Sequence, residues 1–207
     1  MPKVHIVDRY LDSVRALGVK NDGKGLDYFL PEGIEKNILL PGFTKTGYVT
    51  LVLGATHATK RLPAERLKKL ASQIAAPVVL VGGKEDEATG ILIEMVEPSK
   101  IFNACGKMSI NESAMVLKNS SYVITHDTGM MHIAAAFQKK IVSIWGNTVP
   151  DFGMYPYLNE EKKSSFKIVE VEKLSCRPCS KIGFDKCPKG HFKCMENIPL
   201  EQVTKAL

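Results

Sequence analysis

The sequence predicts an α/β domain in which a parallel β-sheet carries helices on both faces. Three observations lead there. Short runs recur that are apolar at nearly every position, among them Pro77–Val81 and Ile141–Trp145, as strands covered from both sides must be. Segments with apolar residues at helical spacing separate them, such as Leu67, Leu70 and Ile74. The two patterns alternate from Tyr48 onward, the order of a chain that returns through a helix after each strand.

Residues 1–36 read as a connector, and residues 37–207 as the domain proper, including a Cys-rich tail. Val4, Ile6 and Val7, then Tyr10, Leu11 and Val14, give the connector one short amphipathic helix. Asn21-Asp22-Gly23 and Lys24-Gly25 break it, and Asp27–Pro31 is extended. The strand, Gly-rich loop and helix that begin a complete doubly wound domain are missing from this opening, so Met1 is read as a cut through a larger protein.

The first expected strand is Tyr48–Leu53, followed by the loop Gly54–Arg61. Pro63 suits the first turn of the next helix. Pro77–Val81 is the second strand; Gly82-Gly83 ends it, and a helix is expected over Glu85–Val96. A short strand follows at Lys100–Asn103, then the loop Cys105–Met108. Ser109 with Glu112 three residues on forms a capping box for another helix. Ser121–Thr125 is rich in β-branched residues and Gly129–Ala136 in Ala and Met, so a strand must turn into a helix within Asp127-Thr128-Gly129. Ile141–Trp145 then runs to the turn Gly146-Asn147-Thr148.

Such sheets bind ligands at the carboxyl ends of their strands. Thr56, Lys60, Glu87, Met108 and Asp127–Gly129 all fall in or near loops at that edge. The start of a helix there leaves backbone N–H groups unpaired, which suits an anion. Lys60 brings an ammonium and Thr56 a hydroxyl from a neighbouring loop, so a phosphate is the natural guest. No Walker sequence and no Gly-x-Gly-x-x-Gly is present. Asp127 would repel a phosphate placed directly against it; it reads as a helix cap or as an acceptor for sugar hydroxyls. His132 either donates to a phosphoryl oxygen or packs on the helix face with Met130 and Met131. Glu85, Asp86 and Glu87 suit a helix start for dipole reasons, with a ribose-binding carboxylate as the functional alternative. Asp-Thr-Gly is also the aspartic-protease signature, but here it opens a helix in an α/β pattern and has no second copy.

Four of the five cysteines lie in the tail, as Cys176-Arg177-Pro178-Cys179, Cys187 and Cys194, with His191 between the last two. A structural zinc site at Cys176, Cys179, Cys187 and Cys194 is one reading; reduced thiols packed in a loop and disulfides are the others. The formal net charge is +6 with lysines scattered, which speaks for small anions or anionic lipid and against nucleic acid. No apolar run approaches the roughly 20 residues of a membrane span. The expected location is cytoplasmic, with a peripheral place on a membrane surface as the alternative.

These residues resemble glycosyltransferase family 9, the heptosyltransferases of lipopolysaccharide core assembly. The resemblance is carried by Lys60-Arg61-Leu62-Pro63, by Gly82-Gly83 with its acidic followers, and by Gly106-Lys107-Met108-Ser109. Its most specific part is Asp127-Thr128-Gly129-Met130-Met131-His132 with Ile133–Ala136, supported by Gly146-Asn147-Thr148 and the tail ending Cys194-Met195. It covers most of residues 37–207 and implies a Rossmann-like sheet, the carboxy-terminal half of a GT-B fold. It implies that Thr56, Lys60, Thr128, Gly129 and His132 hold a donor diphosphate. Met108 would line the base pocket, Glu87 would meet the ribose and Asp127 the hydroxyls of the transferred sugar. It also implies metal-independent inversion, with the base supplied by an amino-terminal domain and the leaving diphosphate stabilised by Lys60 and the helix start. The implied partners are ADP-heptose or a similar donor and a lipid-linked saccharide acceptor at a membrane surface. The sequence departs from the family at Leu62, where many relatives carry Trp, and at Gln138-Lys139-Lys140, which replaces a Gly-Lys-Pro turn.

The expectation is therefore a donor-binding half that binds nucleoside diphosphates and transfers no sugar unaided. Its rivals are a non-enzymatic interaction module built on the zinc site and a complete sugar-phosphate enzyme.

Overall fold

The computed structural model describes residues 4–207; Met1, read above as a cut, lies outside them. Its strands are β1 (Val49–Val52), β2 (Val78–Val81), β3 (Ile101–Asn103), β4 (Tyr122–His126), β5 (Lys140–Trp145) and β6 (Phe166–Glu170). They form one sheet, parallel throughout, in the order β3-β2-β1-β4-β5-β6. Its helices are α1 (Ile6–Ser13), α2 (Ala64–Gln73), α3 (Glu87–Glu94), α4 (Ile110–Asn119), α5 (Gly129–Ala136), α6 (Lys193–Glu196) and α7 (Leu200–Thr204). The expected Rossmann-like α/β class is the one observed.

Strand order decides where a ligand can go. From β1 the chain steps outward to β2 and β3, then returns to place β4 on the other side of β1 and steps outward again. The loops leaving β1 and β4 therefore diverge, and the crevice between them is the topological switch point of the sheet.

Alternate residues of each strand feed opposite faces. Leu51 and Ile124 pack with Leu67 and Leu70 of α2, Ile93 of α3 and Val203 of α7. Val52, Val123 and Ile141 pack with Leu117 of α4 and with Met131 and Ala134 of α5. Each fully buried Leu, Ile or Val contributes about 1.5–3 kcal/mol. Ala134 and Ala135 are completely buried, and their small side chains let α5 lie close against the sheet.

Expected strand ends fall within a residue of those observed. The expected helix over Glu85–Val96 divides, because Lys84–Asp86 is a tight 3-10 turn before α3. Strand β6 and helices α6 and α7 were not expected. In β6 only Val169 is buried, so this edge strand lacks the apolar run that marks its neighbours. Helix α1 sits on the loop after β5: the Ile6 N–H donates to Gly153 O at 2.7 Å and the His5 ring bonds Tyr155 O at 2.8 Å.

The capping box of α4 is formed as read. The Ser109 N–H donates to Glu112 Oε2 at 2.7 Å, and Ser109 Oγ accepts from the Glu112 N–H at 3.3 Å. Replacing Ser109 with Ala should lower unfolding stability by about 1 kcal/mol, read from the urea midpoint at unchanged slope.

Candidate functional site

The loop after β1 ends in the 3-10 turn Ala58–Lys60, which brings Lys60 to the switch point. Arg61 holds the loop closed. Its Nε donates to Ala55 O at 2.6 Å and its Nη1 lies 3.2 Å from Asp86 Oδ1. The other oxygen of Asp86 accepts from the Gly83 N–H at 2.9 Å. Burial raises the pKa of Asp86, against the opposing pull of Gly83 and Arg61. This carboxylate needs room: a Cβ at Gly54 would lie 2.4 Å from Asp86 Oδ2, and one at Gly82 2.7 Å away. The glycines that end β1 and β2 are there for that close approach.

At the end of β4, His126 Nε2 accepts from the Leu62 N–H at 3.0 Å. The bond requires a neutral ring with its proton on Nδ1. Burial, with a smaller push from the Arg61 charge, drives the pKa of His126 down to about 3. The next residue, Asp127, is buried, and its Oδ2 lies 2.7 Å from Lys60 Nζ. The same oxygen accepts from Thr148 Oγ1 at 2.9 Å, in the turn after β5. Asp127 thus joins the loops that follow β1, β4 and β5. The expectation that it caps α5 is corrected: Thr128 occupies the N-cap position with extended backbone, and no side chain caps the helix. The Met131 N–H turns back to Thr128 O at 3.0 Å, and the N–H groups of Gly129 and Met130 are left open at the carboxyl edge. Gly129 is exposed there, with nothing within 4 Å of where a Cβ would stand.

His132 lies one turn further, half-buried. Burial lowers its pKa, Asp127 raises it, and His5 and Lys60 lower it further, which places it within electrostatic reach of the Lys60–Asp127 pair. Thr56 is exposed in the Lys60 loop. Glu87 and Met108 belong to the other half of the edge. Glu87 opens α3 with its Oε2 beside Gly106, 3.6 Å from where a Cβ would stand. Met108 is half-buried against the cluster of Tyr48, Val79, Val81 and Val116. The structure thus gathers Lys60, Asp127, Thr128, Gly129 and His132, and sets Glu87 and Met108 further along the same edge. The contacts of His126, Thr148 and the Arg61–Asp86 pair were not foreseen, although Arg61 and Thr148 lie in motifs that carry the family resemblance and Asp86 lies in the acidic helix start.

The structure does not show the zinc site read from the tail. Among the described residues, no group of three or more His, Cys, Asp or Glu side chains is placed to hold a metal ion. The thiols at Cys176, Cys179, Cys187 and Cys194 are all free, and they lie within electrostatic reach of one another, Cys194 feeling the other three. Cys179 Sγ donates to Cys176 O at 2.7 Å, and Cys176 Sγ lies 3.9 Å from His191 Nε2. Cys194 is packed in the apolar core, where burial raises its pKa to about 11.

Among known proteins, a family model described as glycosyltransferase family 9 (heptosyltransferase) matches residues 3–183. Lipooligosaccharide heptosyltransferase 2 of Haemophilus influenzae is 31% identical over 155 residues, 72% of this chain and 42% of that protein. The glycosyl transferase family 9 structure from Veillonella parvula superposes with a TM-score of 0.73 at 24% identity, covering 98% of this chain and 58% of that one. The structure of E. coli heptosyltransferase WaaC with ADP gives a TM-score of 0.63 at 22% identity, covering 81% and 51%. The chain thus spans about half the length of the relatives it matches. No helix of the described residues is long and apolar enough to cross a membrane.

The buried, neutral state of His126 has a measurable consequence. Its pKa is about 3 when folded against 6.5 for an ordinary histidine, so the unfolded chain binds the extra proton between those values. Its contribution is complete above pH 6.5 and is lost as pH falls toward 3. His126→Gln keeps an acceptor and cannot titrate. The stability difference between wild type and variant should therefore shift against wild type by about 2–3 kcal/mol between pH 7 and pH 4.5. A difference in urea midpoints that ignores pH would contradict the assignment.

Proposed function

The chain belongs to glycosyltransferase family 9, the heptosyltransferases, and from that premise we propose that it is the donor-binding half of an inverting, metal-independent sugar transferase. The donor in this reading is ADP-heptose or a similar nucleotide-linked sugar. One observation carries the proposal: an ammonium, a carboxylate and an uncapped helix start converge at the topological switch point of a parallel sheet.

Each group then has a task. The N–H groups at the start of α5, around Thr128 and Gly129, receive the diphosphate, with Lys60, Thr56 and His132 beside them. Lys60 and the helix start oppose the negative charge that grows on the leaving diphosphate, so their effect is largest in the transition state. Asp127 engages Lys60 and Thr148 through Oδ2 and presents Oδ1 to hydroxyls of the transferred sugar. Glu87 meets the ribose and Met108 lines the base pocket. From β4 across β1 and β2 to β3 is three strand spacings, about 14 Å at roughly 4.8 Å each. An extended nucleoside diphosphate covers that length.

The acceptor and the catalytic base belong in this reading to an amino-terminal domain reached through residues 1–36. The acceptor is a lipid-linked saccharide met at the cytoplasmic face of the inner membrane, and no nucleic acid takes part. The ADP held by E. coli heptosyltransferase WaaC supports an adenine nucleotide as the first ligand to try. The interaction-module rival has no such convergence of groups behind it, since no set of three metal-ligating side chains is gathered among the described residues.

Titration calorimetry with ADP, GDP, UDP and CDP tests the reading. Binding of at least ADP, unchanged by EDTA, is expected; no heat with any of the four would overturn it. Lys60→Ala should weaken ADP by about 10- to 100-fold, the worth of a charge-assisted hydrogen bond of about 1.5–3 kcal/mol.

A second variant isolates the helix entrance. A Cβ at Gly129 meets no protein atom, so Gly129→Ala should fold with unchanged or slightly higher melting temperature while losing ADP affinity. Equal affinity in that variant would place the diphosphate elsewhere.

A further inference from the structure

We propose that the Cys-rich tail is a clamp on the donor site, with Arg177 as its positioning residue. The proposal rests on the reading that the Lys60–Asp127 edge holds a nucleoside diphosphate.

Three consecutive carbonyls of the turn after β5 are held by the Cys176–Cys179 segment. The buried guanidinium of Arg177 donates through Nε to Gly146 O and through Nη2 to Thr148 O at 3.0 Å. The carbonyl between them, Asn147 O, accepts from the Cys179 N–H at 3.1 Å. The guanidinium is itself anchored: Nη1 donates to Val171 O at 2.8 Å and Nη2 to Glu170 Oε2 at 2.7 Å. A planar fork that grips residues 146 and 148 together fixes the direction of the Thr148 side chain, and Thr148 Oγ1 donates to Asp127 Oδ2. The path from Arg177 to Lys60 therefore runs through one turn, one hydroxyl and one carboxylate.

The same tail reaches the other partner of the ion pair. Phe184 and Thr59 bond reciprocally: Thr59 N–H to Phe184 O at 3.0 Å, and Phe184 N–H to Thr59 Oγ1 at 2.8 Å. Thr59 directly precedes Lys60. Gly183 lies so close to His57 that a Cβ there would sit 2.5 Å from the His57 Cβ. The tail thus holds the Lys60 loop on one side and the Asp127 partner on the other, which gives the Cys-x-x-Cys segment a role that needs no metal ligation.

The test compares ADP with AMP as probes, since only ADP carries the diphosphate. Thr148→Val removes the hydroxyl and keeps the shape, Thr148→Ser restores the hydroxyl, and Arg177→Lys keeps the charge without the fork. Loss of one positioned hydrogen bond corresponds to about fivefold. The expected result is a fall of about fivefold or more in ADP affinity for Thr148→Val and Arg177→Lys, with AMP affinity held and Thr148→Ser close to wild type. Unchanged ADP affinity in folded variants overturns the clamp, and so does a parallel loss of ADP and AMP, which marks a merely structural role. If Arg177→Lys does not fold, the Thr148 pair decides by the same criteria. Failure of wild type to bind ADP would instead refute the donor-site reading, and sensitivity to Lys60→Ala alone would refute only the clamp.

Discussion

The ion pair between Lys60 and Asp127 is the contact around which the carboxyl edge is assembled. Its side chains are 14% and 7% exposed, so both charges have given up most of their hydration. Attraction between two such charges compensates for that loss only when further hydrogen bonds complete the arrangement. Thr148 supplies one to the same carboxylate oxygen that meets Lys60. The pair is consequently poor evidence for stability and good evidence for organisation. It fixes an ammonium beside a helix entrance, where a flexible lysine on an open loop would otherwise sample many positions.

Two further contacts keep the loop from swinging away. Leu62 is tied to the end of β4 through His126, and Arg61 is tied to the β2–α3 turn through Asp86. Each uses a buried group: a ring held neutral by burial, and a carboxyl whose pKa burial raises against the opposing pull of Gly83 and Arg61. Donors fixed in place before a ligand arrives need no reorganisation when negative charge develops. The strand order makes this economical, because β1 and β4 are neighbours and their loops need cross only the gap of the switch point.

Local sequence carried most of the sheet and little of the wiring. The central strands were legible because burial on both faces demands apolar runs, and Ser109 with Glu112 because a capping box is written in residues three apart. Edge strand β6 was illegible because Lys167 and Glu170 can stay wet there. Asp127 and Lys60 were both seen as part of the site, yet their pairing was not, since the two lie far apart in the chain and no period or spacing links them. Thr148 and His126 were hidden for the same reason: a hydroxyl and an imidazole acquire meaning only from what tertiary packing sets opposite them. The four tail cysteines suggested a metal because spacing was the only information available. Spacing could not tell that Cys194 would also pack in the core and that the Cys179 thiol would meet a backbone carbonyl.

The two departures from the family pattern show how such wiring tolerates change. At Leu62 the side chain is buried in the core shared by α2 and β1, and it is the backbone N–H that reaches His126. A change of side chain there alters packing while leaving the tether intact. Gln138 stands where the family has Gly and keeps a glycine-like backbone, with φ of +53°. A left-handed conformation costs a non-glycine residue about 1–2 kcal/mol. Its side chain offers an offset, since Gln138 Oε1 accepts from the Asn159 N–H at 3.1 Å and so ties the end of α5 to the segment before β6. Lys140 replaces Pro at the first position of β5, where a residue with an N–H can join the ladder opposite Tyr122. Both departures are absorbed where they occur, at the core side of the Lys60 loop and at the far end of α5, and neither alters the groups that face the helix entrance.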